Sequence, residues 1–349
     1  MITIELRVVS IRREATEMVT IAFERKDGRP LEYRAGQFLT FLFSFRGRGL
    51  RRSYSFSSTP GVDEYPSITV KRVANGEVSR YLLGHLAVGD VLMSLPPAGK
   101  FVLEEVGGGS LVFLAAGSGM VPVFGLIKEA FESGRMRSRG AGRIVLITQN
   151  RDVESVPFRG VLEGMVREYA GVFEWTSLLS SSAPVGRLNN GLLREMLDWI
   201  RVEDEEGRPT PMHRFYLCGP PGFMRMAIFT LRLMGVADAQ IKRENFTVEY
   251  IPPPPLLMDP SPKRVVVHAE GKEYAFFTAW PRTILQSALD QHIALPYSCK
   301  GGVCSTCVAR CIGGKVKMSI NEVLTDKDLR AGLVLTCVGY AETDVELSF

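Results

Sequence analysis

Apolar and polar residues alternate from the start of the chain. Residues 2–9 (ITIELRVV), 18–25 (MVTIAFER), 37–45 (QFLTFLFSF), 52–58 (RSYSFSS), 67–73 (SITVKRV) and 90–97 (DVLMSLPP) carry the two-residue period of short strands. Turn formers divide them: KDG, FRGRG, STPG and VANG. Six short antiparallel strands predict a β-barrel over residues 1–105, because closing the sheet removes its exposed edges.

After EEVGGGS the rhythm changes to strands alternating with helical patterns. LVFLA (111–115) leads through a glycine turn into PVFGLIKEAFESG. RIVLIT (143–148), a helix near 158–169, VFEWTSL (172–178) and a helix near 190–200 follow. HRFYLCG (213–219) and a helix near 221–234 complete the series, which predicts an α/β domain with a parallel sheet and helices on both faces over 106–250. Then IPPPPLLMDPSP (251–262) holds six prolines in twelve residues. Proline locks φ and lacks the backbone donor, so this stretch predicts a semi-rigid extended linker, reaching at most roughly 37 Å. Residues 263–349 form a further small module.

Composition changes this picture little. The chain of 349 residues is too long for one ordinary core, and 46% hydrophobic with 23% charged residues is the balance of a globular protein. A net charge of +4 gives no concentrated basic stripe, so neither nucleic acid nor an anionic membrane is expected as a partner. The arginines of SGRMRSRGAGR (133–143) read as a solvated loop. The first residues carry charge at once, without the apolar core of a signal peptide, and no apolar run is long enough to span a membrane. A cytoplasmic protein is expected, in which clustered cysteines are metal ligands more often than disulfides.

The cysteines supply the strongest chemical signal. Cys299, Cys304 and Cys307 stand as C-x4-C-x2-C in CKGGVCSTCVARC, and Cys337 follows thirty residues after Cys307. Structural zinc sites usually arrive as two separated C-x2-C knuckles, and only one such pair is present. The spacing instead matches a plant-type two-iron, two-sulfur centre, with Gly301 and Gly302 giving the loop room to wrap it. Zinc stays as the alternative. Cys311 fits on spacing alone, but it lies in an alternating strand leading away from the loop, where a packed or surface cysteine is expected.

Four weaker signals precede it. Arg52, Tyr54 and Ser55 in RRSYSFSS suit a pyrophosphate, a flat ring and a ring nitrogen, although such a trio alone is an ordinary strand. Gly76, Glu77, Val78 and Ser79 open a helix, where free N–H groups favour phosphate. Gly117, Ser118 and Gly119 lie between a strand and a helix, where parallel sheets present ligand loops, yet Pro122 breaks the G-x-G-x-x-G pattern. Cys218, Gly219 and Pro220 end another strand in FYLCGPPGFM.

In this order, Arg-x-Tyr-Ser, Gly-x-x-Ser, Gly-Ser-Gly, Cys-Gly-Pro and the cysteine spacing resemble the ferredoxin–NADP reductase superfamily with a ferredoxin domain at the C-terminal end. Within it the chain is similar to oxygenase reductase components, the reductase subunit of phenylacetyl-CoA epoxidase in particular, through CKGGVCSTC, GRLNNGLL and RAGLVLTC. The resemblance implies a multidomain protein: an FAD-binding antiparallel β-barrel, an NAD(P)-binding α/β domain and an α+β β-grasp ferredoxin domain. It implies FAD on Arg52, Tyr54, Ser55, Gly76, Val78 and Ser79, with Phe246 after Glu244 closing the flavin pocket. The nicotinamide nucleotide would lie on Gly117, Ser118, Gly119, Cys218, Gly219 and Pro220, with Ser55 and Cys218 at the catalytic centre. Cys299, Cys304, Cys307 and Cys337 would hold the 2Fe-2S cluster.

Two departures stand out. Where relatives selective for NADPH often place a Ser-Arg pair, this chain reads LLSSSAPVGR, so NADH and NADPH both stay open, with Arg151 and Arg187 as substitutes. Plant ferredoxins are acidic, whereas residues 263–349 hold ten Lys or Arg against nine Asp or Glu. The expected activity passes electrons from NAD(P)H through FAD and the cluster to an external acceptor protein, an oxygenase component such as phenylacetyl-CoA epoxidase. Alternatives are another acceptor (a hybrid-cluster protein, a desaturase or a separate ferredoxin) or a non-enzymatic redox sensor. No histidine is needed as acid or base. The proline linker predicts a tethered carrier that stays at high effective concentration near the flavin.

Overall fold

The computed structural model describes residues 2–45, 47–104, 109–133, 142–182, 186–200, 213–246, 259–269, 271–321 and 323–349, without the side chain of Arg48. Most of the proline stretch, the arginine-rich loop and the junction at 105–108 lie outside the described residues.

The first unit contains all six expected strands. They are β1 (Ile4–Ala15), β2 (Met18–Arg25), β3 (Phe38–Phe45), β4 (Arg48–Ser55), β5 (Ser67–Lys71) and, after helix α1 (Glu77–Gly84), β6 (Val91–Ser94). They pair antiparallel in the order β4-β3-β6-β1-β2-β5. An isolated bridge between Phe56 and Ile68 joins the two ends, so the sheet curls shut as the edge argument requires. Leu6, Ile21, Phe23, Leu39, Phe41, Phe56 and Ile68 fill its interior with no exposure to solvent.

The second unit runs β7 (Leu111–Ala116), α2 (Met120–Glu132), β8 (Ile144–Asn150), α3 (Arg159–Glu168), β9 (Phe173–Leu179), α4 (Asn190–Met196), β10 (Arg214–Cys218), α5 (Pro221–Leu233) and β11 (Ile241–Glu244). The sheet is wholly parallel, in the order β11-β10-β7-β8-β9. Alternation along β7 assigns its two faces. Leu111, Phe113 and Ala115 pack with α2 and α3, while Val112 and Leu114 pack with residues of α4 and α5. Three expectations needed adjustment. Helix α2 starts two residues earlier, running on from the Gly117–Gly119 turn; α4 ends at Met196; and β11 was not foreseen.

The third unit is a mixed sheet crossed by a short helix, the β-grasp arrangement. Its strands β12 (Lys263–Ala269) and β13 (Lys272–Thr278) form a hairpin, followed by α6 (Ile284–Asp290), β14 (Val308–Gly313), β15 (Val316–Met318), α7 (Asp326–Arg330), β16 (Leu333–Leu335), β17 (Gly339–Ala341) and β18 (Val345–Ser348). The order β13-β12-β18-β14-β16 places the C-terminal strand β18 parallel to β12 at the centre. A separate core of Val265, Val267, Ile284, Leu285, Leu335 and Leu347 holds this unit together. Among the described residues no helix is long and apolar enough to cross a membrane.

Candidate functional site: a nucleotide cleft, a flavin cleft and a cysteine loop

The Gly-Ser-Gly turn sits at the carboxyl end of β7, beside the carboxyl end of β10. A Cβ on Gly119 would lie 2.0 Å from the Cys218 carbonyl oxygen, and one on Gly219 would lie 3.1 Å from the Ala116 Cβ. These glycines therefore allow two strand ends to approach more closely than side chains permit. Gly117 adopts φ +55° and turns the chain into α2. A cavity of about 560 Å³ opens from Gly117 and Pro220 toward Arg151, Ser180 and Arg187, across the carboxyl ends of β7 and β8. This is where an open parallel sheet receives a nucleotide. Of the LLSSSAPVGR stretch, Ser180 and Arg187 line this cavity, and residues 183–185 lie outside the described residues.

Cys218 is fully buried at the end of β10, and burial, then the nearby Glu244 carboxylate, push its thiol well above the ordinary range. It is thus a neutral thiol. Parallel pairing of β10 with β11 sets Cys218 opposite Glu244. The Ser55 hydroxyl donates to Glu244 Oε2 at 3.1 Å. Desolvation raises the Glu244 pKa to about 8, against the lowering effect of that hydrogen bond. One cleft of about 260 Å³ gathers Ser55, Glu244, Phe246, Ser298, Cys299 and Cys304. The barrel, the parallel sheet and the cysteine loop all contribute to its wall.

Of the remaining flavin-motif residues, Arg52 lines the same cleft, and Tyr54, Gly76, Val78 and Ser79 are not part of its wall. Arg52 is exposed and donates to the Arg51 carbonyl at 2.8 Å. Tyr54 packs 6.2 Å from Phe41, and burial raises its hydroxyl pKa to about 12. Gly76 caps α1, where a Cβ would meet Ser79 Oγ at 2.6 Å, and Val78 is buried behind it. The Ser79 hydroxyl accepts from the Val73 N–H at 3.1 Å and donates to the Gly76 carbonyl at 3.2 Å, which holds the turn rigid.

The cysteine loop joins four sulfurs in a chain. Cys299 contacts Cys304 and Cys337, and Cys337 also contacts Cys307. The hydrogen bonds from Cys304 and Cys337 pull the Cys299 thiol down, and that from Cys337 pulls Cys307 down. The Gly301 N–H points at Cys299 Sγ, 3.3 Å away, and the Cys299 N–H at Cys304 Sγ, 3.5 Å away. Lys300 and Ser305 adopt φ +58° and +57°, the left-handed backbone of a tight loop. Cys311 lies apart, its thiol donating to the Gly313 carbonyl at 3.3 Å. The chain of contacts has a Cys299–Cys304 end and a Cys307–Cys337 end. Four thiols at the C-x4-C-x2-C and distant-cysteine spacing are the donor set of a plant-type two-iron cluster.

Sequence reasoning missed the pairing of Ser55 with Glu244, because it arises where strands of two different sheets, far apart in the chain, pack together. It also missed Arg51 and Tyr297, which carry no motif. The histidines stand outside these clefts: His213 accepts from the Ser110 N–H at 3.2 Å, and His268 lies 2.7 Å from Glu346.

Barrel, parallel sheet and cysteine loop define a class, the flavin- and nicotinamide-dependent iron–sulfur oxidoreductases. Residues 5–103 match the oxidoreductase FAD-binding domain family, 113–228 the oxidoreductase NAD-binding domain family, and 267–342 the 2Fe-2S iron-sulfur cluster binding domain family. The ferredoxin reductase component of 3-ketosteroid-9-alpha-monooxygenase from Mycobacterium tuberculosis (strain ATCC 25618 / H37Rv) is 32% identical over 99% of this chain and 96% of its own. A subunit of 1,2-phenylacetyl-CoA epoxidase from Escherichia coli (strain K12) is 31% identical over 99% of this chain and 97% of its own. In fold, the chain matches phthalate dioxygenase reductase with a TM-score of 0.61, at 21% identity, over 99% of this chain and 98% of that one. It spans 41% of an intact type IV self-sufficient cytochrome P450 monooxygenase, with a TM-score of 0.76 at 20% identity. The chain belongs to the ferredoxin–NADP reductase superfamily, with a 2Fe-2S ferredoxin domain at its C-terminal end. It is an NAD(P)H-dependent oxidoreductase that uses FAD and a 2Fe-2S cluster.

Proposed function

We propose that the protein is the reductase component of an oxygenase system, taking electrons from NAD(P)H and delivering them to a separate oxygenase protein. The observation that carries this reading is the shared cleft, in which Ser55, Glu244, Cys299 and Cys304 face one another. When bound, nicotinamide supplies electrons in pairs, the cluster accepts them singly, and flavin handles both, which is why one protein holds all three.

The chain's own residues bind and orient. Arg52, Gly76, Val78 and Ser79 would hold the FAD pyrophosphate, and Tyr54 and Phe246 would flank the flavin ring. Ser55 would offer its hydroxyl to the ring, with Glu244 as its partner, at the closed end of the cleft. Gly117, Ser118, Gly119, Gly219 and Pro220 would seat the nicotinamide nucleotide, with the neutral Cys218 thiol beside its ring. Cys299, Cys304, Cys307 and Cys337 would hold the cluster. The proposed domain limits are 1–105, 106–250 and 263–349, with 251–262 as linker.

For the acceptor, the phenylacetyl-CoA epoxidase oxygenase remains the first expectation, supported by the relative at 31% identity. A ketosteroid monooxygenase component is a second reading, favoured by the relative at 32%. The test is reconstitution with purified oxygenase components of both kinds, following NAD(P)H-dependent product formation. Turnover with one and not the other identifies the acceptor, and turnover with neither rejects both assignments. Steady reduction of an artificial one-electron acceptor by NAD(P)H separates a reductase from a redox sensor.

A further inference from the structure

Strand β4 has two faces, and on one of them the flavin motif accounts for Ser55 alone. Arg52 and Tyr54 point one way. On the other, Arg51, Ser53 and Ser55 follow one another at the two-residue spacing of a strand, opposite Leu42, Thr40 and Phe38 of β3. Ser55 meets the parallel sheet, whereas Ser53 and Arg51 both meet the cysteine loop. Ser55 bonds Glu244. Ser53 hydrogen-bonds the Ser298 hydroxyl. Arg51 donates through Nη1 to the Tyr297 carbonyl at 2.9 Å, and its guanidinium lies over the Tyr297 ring, 3.7 Å from the centroid. Tyr297 and Ser298 immediately precede Cys299, the first of the four cysteines. Lys300 Nζ lies 4.7 Å from the same ring centroid, so two cations approach the Tyr297 ring.

From this we infer that Arg51 is a positioning residue, which fastens the cluster loop to the strand carrying the flavin motif. The inference rests on the proposed reductase reading. A guanidinium can stack flat on an aromatic ring while its N–H groups bond a carbonyl, so one side chain fixes both the ring and the backbone of Tyr297. Two restraints on one residue set the loop's distance and its orientation together. Ser53 with Ser298 adds a third point, and three points define a rigid seat. Lysine in place of Arg51 keeps the charge and a donor but loses the planar stack.

The test uses the purified holoprotein and its Arg51→Ala, Arg51→Lys, Tyr297→Ala and Arg51→Ala/Tyr297→Ala variants. Two readouts are followed: anaerobic stopped-flow of flavin and then cluster reduction, and hydrogen exchange of residues 296–301 in the oxidised protein. In Arg51→Ala, flavin, iron and sulfide contents and the rate of flavin reduction stay at wild-type values. Cluster reduction slows by about tenfold or more, as misplacement of a reacting pair predicts, and exchange in 296–301 accelerates. Arg51→Lys restores part of the rate. Tyr297→Ala reproduces Arg51→Ala, and the double variant is no slower than either single one, because both remove the same contact.

Wild-type cluster reduction and exchange in Arg51→Ala would overturn the inference, as would effects of the two single variants that multiply. Loss of flavin from Arg51→Ala would overturn it too, by placing the residue in flavin binding instead. Failure of the wild-type protein itself to reduce its cluster after its flavin would instead reject the reductase reading.

Discussion

Cys337 and Cys311 are both cysteines of the ferredoxin domain, but their thiols have different neighbours. Cys337 contacts Cys299 and Cys307, whereas Cys311 donates to a backbone carbonyl. Cys337→Ala is expected to remove iron and sulfide while leaving flavin reduction by NAD(P)H intact; Cys311→Ala should change neither. Metal analysis of the two variants decides this, and loss of iron from the second would reassign the ligands. Glu244 yields a pH prediction. Its folded pKa of about 8 lies above the ordinary 4.5, so the folded protein binds the extra proton. Its contribution to stability is full below the ordinary value, declines as pH rises through the window, and is lost above about 8. Flavin-depleted wild type should therefore unfold at progressively lower temperature across that window, with a flatter profile in Glu244→Gln. Equal slopes in the two proteins would show that Glu244 does not carry the effect. The cysteine spacing was legible because one local loop sets it. The Ser55–Glu244 bond was not, because it needs residues 189 positions apart.

At the scale of elements, alternation was clearest in β1 and β6, which bury one face and expose the other, whereas β3 and β5 are buried at most positions and stood out as apolar runs. Strand β11 escaped because IKRE sits at the edge of its sheet and none of its residues is fully buried. An edge strand paired on one side needs little apolar sequence. The glycines of the nucleotide turn were legible as a motif, but the strand end they accommodate was not. Gly119→Ala is expected to destabilise by about 3 kcal/mol, since the new Cβ meets rigid backbone. It should also weaken NAD(P)H binding. Gly164→Ala, in the middle of α3 with nothing within 4 Å, should stabilise by about 0.5–1 kcal/mol. Thermal unfolding of the two variants should shift in opposite directions.

At the scale of the whole molecule, three units were legible from the changes of rhythm along the chain, but not the surface on which the third one sits. That surface depends on side chains without motifs: Arg51, Ser53 and Lys100. Lys100 Nζ lies 2.6 Å from Asp328 Oδ2, linking the barrel end to α7, and both groups are partly exposed. Salt screens such a pair, whereas the stacked Arg51–Tyr297 contact is less sensitive. Raising ionic strength should therefore slow cluster reduction in Arg51→Ala more than in the wild type, where the stack still holds the loop. Equal salt dependence would mean that the ion pair adds nothing to the seat. Replacing the linker prolines by Gly and Ser is expected to alter delivery to the acceptor more than flavin reduction; equal effects on both steps would count against a tethered carrier.

The most direct measurement is an anaerobic titration of the purified protein with NADH and with NADPH, followed by absorption and supported by metal analysis. One flavin and one two-iron, two-sulfide cluster per chain are expected, with flavin and cluster bands both bleached by the nicotinamide nucleotide. Zinc in place of iron, an absence of flavin, or a cluster that stays oxidised after the flavin is reduced would contradict that expectation.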